Sequence, residues 1–97
     1  MRKFHLGDVL SVITRINVSP RLMKGVFDIT SFMVGHEIEP AENIVLYADQ
    51  CRASLLEQHP NLKKVSVAGV NTKNWKQWLS TQVKKYGEKL SVKPISA

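Results

Sequence analysis

The chain has 97 residues, 43% of them hydrophobic and 23% charged, with a net charge of +6. That is one domain's worth of chain with one modest core, so a single domain over residues 1–97 is expected. No apolar run nears the ~20 residues that a membrane-spanning helix needs, the lone Cys51 allows no internal disulfide, and Asp8 breaks the N-terminus before a signal-peptide core forms, so a cytoplasmic protein without a membrane role is expected.

Phe4-His5-Leu6 reads as a short strand or an extended lead-in. Asp8 is placed to cap a helix through its side-chain oxygen. Val9 to Ile16 is rich in β-branched residues, yet Val9, Ile13 and Ile16 fall on one helical face, which favours a short helix. Ser19-Pro20 predicts a helix start, with serine at the N-cap and proline at the first helical position. The helix expected over 20–34 shows Leu22, Val26, Ile29 and Met33 at helical spacing, and Gly35 is placed to end it. This helix is taken as the centre of the core. Arg21 in its first turn opposes the helix dipole, which points to an ion pair with Asp8 or Asp28 or to an acidic partner.

Residues 36–43 form a polar, acidic connection containing Pro40. A third helix is predicted from Ile44 or Tyr47 to Gln58, stopped by His59-Pro60. Asn61 to Val70 reads as a short strand or extended loop. A last helix over about 72–86, capped by Asn71 or Thr72, carries the stripe Trp75, Trp78, Leu79, Val83 and Tyr86, and is expected to cross the 20–34 helix through Trp75, Trp78 and Leu79. Residues 90–95 alternate like an edge strand. The fold class is therefore mainly α, a three- to four-helix domain with short terminal strands, and those strands leave an α+β reading open. The five glycines are scattered as caps and turns require.

Charge is uneven along the chain. Residues 61–97 hold eight lysines against the single acid Glu88, a balance of +7, whereas residues 1–60 stand at −1. A positive field at one end points to an acidic or polyanionic partner there. Lys73, Lys76, Ser80 and Lys84 share one side of the last helix, opposite its aromatic stripe. The expected binding residues are Lys63, Lys64, Lys73, Lys76, Lys84 and Lys85. Helical spacing assigns Trp75 and Trp78 to the core; exposed, they would suit base stacking or an interface hot spot.

The motifs Phe4-His5-Leu6-Gly7-Asp8, Val18-Ser19-Pro20-Arg21, Gly25-Val26-Phe27-Asp28-Ile29, Leu55-Leu56-Glu57-Gln58-His59-Pro60 and Asn74-Trp75 occur in that order. Together they resemble a family of small uncharacterised proteins encoded by bacteriophages and prophages, over nearly the whole chain. Residues 35–45 depart from that pattern. The resemblance implies a host-cell cytoplasmic setting, in which small proteins bind and block host machinery, as anti-CRISPR and other anti-defence proteins do. It supplies no functional residue.

No catalytic motif is present. His5, His36, His59 and Cys51 lie outside any metal-ligand spacing, so neither a metal nor another cofactor is expected. A Cys51–His pair formed only in three dimensions is the remaining nucleophilic reading, and Cys51 fits a buried apolar position better. Glu37, Glu39 and Glu42 make one acidic cluster, suited to solvation or to a basic partner. The expectation is a non-enzymatic binding protein, an inhibitor or adaptor on a host protein complex. The alternative is a nucleic-acid-binding protein that does not read sequence, since the cations of the basic half are all lysine and no base-reading arrangement is present.

Overall fold

The computed structural model describes residues 1–39 and 44–95. Strand β1 (Arg2–His5) leads directly into helix α1 (Leu6–Thr14). Helix α2 (Met23–Val34) follows an eight-residue turn region, a 3-10 turn over Ile44–Tyr47 enters helix α3 (Ala48–Gln58), and a second 3-10 turn spans Pro60–Lys64. Helix α4 (Trp75–Tyr86) and strand β2 (Lys89–Val92) complete the order. The fold is mainly helical with one small two-stranded sheet.

The core is centred on α1, not on the 20–34 segment. Eight of the nine α1 residues are buried, and α1 touches α2, α3, α4 and both strands. A helix that is apolar nearly all round belongs in the middle, and an amphipathic one belongs outside it. Burial on every side overrides the modest helix propensity of Val9, Val12 and Ile13. The cap of α1 is His5, whose Nδ1 accepts the Gly7 N–H at 2.9 Å, rather than Asp8. Arg15 closes the helix in a left-handed conformation, its N–H donating to Ser11 O.

Helix α2 begins at Met23, three residues after the predicted Pro20 start. Ser19 is not its N-cap. The Ser19 hydroxyl donates to the buried Asp8 carboxylate and accepts the Arg21 N–H at 3.1 Å, so it organises a turn. The Leu22 N–H closes that turn on Ser19 O at 3.0 Å. Leu22 itself lies at φ 57°, ψ −137°. Gly25, inside α2, serves no turn: a Cβ there would overlap Asp8 and Ser19, so glycine permits α2 to approach α1. Ile29 and Met33 are buried as predicted, whereas Leu22 is 61% exposed. Gly35 ends α2 at φ 85°.

The strands pair antiparallel, Arg2 opposite Val92 and His5 opposite Lys89. Phe4 packs on Phe32 with ring centroids 5.4 Å apart. The Gln58 side chain pairs with both the N–H and the carbonyl of Lys93, and the His59 Nε2–H donates to Ser91 O at 2.7 Å, so the end of α3 holds the chain around β2. His59-Pro60 stops α3 as expected. Asn61 to Val70 forms no strand; after the 3-10 turn it runs extended to a turn at Val67–Val70. Its Ser66 carbonyl accepts the Trp78 indole N–H at 3.2 Å instead of a ladder donor. Glu37 is exposed. Pro40 and Glu42 lie outside the described residues.

Candidate partner-binding face

Helix α4 starts at Trp75 because Asn71 and Asn74 organise the turn before it. Asn71 Oδ1 accepts the N–H groups of Lys73 and Asn74, and Asn74 Oδ1 accepts the Asn71 N–H at 2.7 Å. Lys84 and Lys85 occupy the last turn, where cations suit the dipole. The helix packs on α1 rather than across α2. Leu79 is buried, and Trp75, Trp78, Val83 and Tyr86 are half-buried against the core. The opposite side exposes Lys73, Lys76, Ser80 and Lys84, as the helical spacing predicted.

The structure divides labour between the two kinds of cation. Every ion pair among the described residues uses arginine: Arg2 and Arg21 with Asp28, Arg21 with Asp8, and Arg15 with Asp49. The expected Arg21 pairing is thus made with both candidate acids. Its hydrogen bond to Asp8 raises the Arg21 pKa above the ordinary value. No lysine among the described residues has a carboxylate in ion-pair range. Lys63, Lys64, Lys73, Lys76, Lys84 and Lys85 are all exposed.

Two clefts of similar size separate these lysines. One of about 560 Å³ runs along a single stripe of α4 and is walled by Trp75, Leu79 and Val83, with Pro20 and Leu22 facing them. Lys76 and Ser80 belong to this cleft, and His5 and Glu88 line it beyond the C-terminal end of α4. The Lys76 ammonium lies 5.7 Å from the Trp75 ring centroid. The second cleft, about 510 Å³, holds Lys63 with Arg15 and Arg52. The Arg52 Nε–H there donates to Ile13 O at 2.9 Å. Sequence reading missed the first cleft, because its far wall comes from the turn at residues 20–22. The signal available was Arg21, whose unfavourable place in a helix start marked that turn as special.

Cys51 is fully buried, and burial pushes its thiol up to about 11. A thiol held protonated at neutral pH is a poor nucleophile. The ring of His59 is committed to Ser91 O. Among the described residues no group of three His, Cys, Asp or Glu side chains converges as metal ligands would, and no helix is long and apolar enough to cross a membrane.

No curated protein and no solved structure matches the chain. Residues 4–65 match a family described as a domain of unknown function, DUF7736. The match takes in β1 through the second 3-10 turn, and α4 and β2 follow it. With nearly two thirds of its length matched, the chain belongs to the DUF7736 family of uncharacterised domains.

Proposed function

We propose that this is a small basic binding protein that acts by direct, non-catalytic contact on a host protein complex, as an inhibitor or adaptor of the anti-CRISPR or anti-defence type. The observation that carries the reading is the unpaired lysine set. Arginine pairs with the acids Asp8, Asp28 and Asp49, so the positive field of the C-terminal third is left to an external partner. The phage setting, and with it the host cytoplasm as the place of action, rests on the sequence resemblance. The chemistry of the interior agrees: the one thiol is buried and protonated.

Nucleic acid is the second reading, favoured by the half-buried Trp75 beside Lys76. A pull-down from host lysate, with and without nuclease, separates the two. The first reading expects one stoichiometric protein that survives nuclease and is lost when Lys73, Lys76 and Lys84 are replaced together by glutamine. Recovery of nuclease-sensitive material alone would establish the second.

A further inference from the structure

The cleft along α4 joins an apolar trough to the lysine face, and a strained residue lines it. Leu22 lies at φ 57°, ψ −137°, close to the first central position of a type II′ turn, where glycine is the usual occupant. A bulky side chain held there is strained, and such outliers gather at binding and switch regions. Leu22 contributes little burial to offset that strain, since it is 61% exposed. It lines the cleft opposite Trp75, Leu79 and Val83. The turn that presents it is fixed from below: Ser19 and Arg21 both bond to the buried Asp8.

We infer that this cleft takes a bulky apolar side chain from an acidic peptide segment of the partner protein. This rests on the proposed lysine-face reading and names the chemistry of the partner. The trough suits one leucine-sized or aromatic anchor, which gains affinity from apolar burial. Lys76 lies on its rim, and Lys73 and Lys84 share that helix face, so carboxylates flanking the anchor meet uncompensated cations. A continuous run of phosphates is a poorer fit. Glu88 lines the cleft beyond the end of α4 and repels a polyanion laid along its whole length. Pro20, Leu22, Leu79 and Val83 form its aliphatic part, and Lys76 lies near the Trp75 ring. The anchored segment therefore carries its acids along α4 and none at the Glu88 end.

The test uses the full chain and fluorescein-labelled 12-residue synthetic peptides with an Asp/Glu run on one side of a single Leu, Phe or Trp. Controls replace the anchor by Ser or move the acids to the other side, and an oligo-dT strand is tested in parallel. Fluorescence anisotropy is expected to show saturable binding of the anchored peptides, at least tenfold weaker with the Ser control. Leu22→Gly is expected to weaken binding at least tenfold while its melting temperature is unchanged or higher, and Leu22→Met is expected to retain binding. Equal binding of anchored and Ser peptides would overturn the cleft assignment yet leave the lysine-face reading standing. Full binding by Leu22→Gly would overturn it too, as would oligo-dT binding with no peptide binding. Loss of all peptide binding on replacing Lys73, Lys76 and Lys84, with nothing lost in Leu22→Gly, would likewise leave only the lysine face.

Discussion

The carboxylate of Asp8, fully buried in the first turn of α1, receives the guanidinium of Arg21 at 2.5 Å from the turn before α2. One helix is thereby pinned to the approach of the next through a charge that water does not reach. Replacing Arg21 by Ala leaves that charge without its partner. Breaking a buried pair costs ~3–5 kcal/mol. The Arg21 side chain is 45% exposed, so water recovers part of the loss. Urea denaturation should show a loss of about 2–3 kcal/mol. Adding Asp8→Asn to Arg21→Ala should restore part of it, because no buried charge then remains. A single substitution that costs nothing would show that the pair contributes no stability.

Gly25→Ala should destabilise the fold by about 1–3 kcal/mol, the range for overpacking. In an ordinary helix the same change stabilises by about 0.5–1 kcal/mol. The sign reverses because the new methyl group would meet Asp8 and Ser19. Thermal melts of the variant settle the sign directly.

Cys51 gives a pH dependence of known direction. Its thiol ionises at about 11 in the folded chain against an ordinary 9.0. The unfolded chain therefore loses this proton first. Stability from the neutral thiol is complete below pH 9 and falls as pH rises from 9 toward 11, by up to about 1.4 kcal/mol per pH unit. The measurement is the difference between wild type and Cys51→Ala, which isolates the thiol from every other group. The wild type should lose more stability over that window. Parallel curves would contradict a buried thiol, as would fast labelling of the native protein by a thiol reagent at neutral pH.

Replacing Lys73, Lys76 and Lys84 together by Gln should change stability by no more than ~0.5 kcal/mol, since these side chains are exposed and hold no ion pair. Partner binding should weaken, and the wild-type interaction should lose strength with added salt. Should the partner be nucleic acid, the slope of log affinity against log salt falls by about one for each phosphate contact removed. A variant that folds and binds as wild type at every ionic strength would show a merely solvated face.

The elements that sequence made legible are those with one apolar stripe and clear stops. The α3 and α4 helices, the His59-Pro60 break, the Gly35 cap and the exposed lysine side of α4 follow from spacing and local backbone chemistry. Strand pairing of the two ends was legible only as a short strand or extended lead-in at Phe4-His5-Leu6 and an alternating segment over residues 90–95. What escaped was tertiary. Periodicity cannot show that α1 is covered on every side, because its β-branched residues suit a strand as well. Nor can it show that Ser19 spends its hydroxyl on Asp8, which moves the start of α2 from Pro20 to Met23. The lysines were legible as a face, but the cleft beside them needs Leu22, which a helical reading places on the buried stripe.

The pairing of β1 with β2 has a mechanical consequence. Arg2 and Val92 sit opposite each other at the outer end of the ladder, with His5 and Lys89 at the inner end. A pull on residues 1 and 95 thus unzips the sheet, loading its hydrogen-bond pairs in succession rather than together. Val92 is fully buried, and Phe4 and Leu6 lie beneath the same join. Once the Gln58 bonds to Lys93 give way, tearing it open exposes the core, so the molecule should then come apart as a whole.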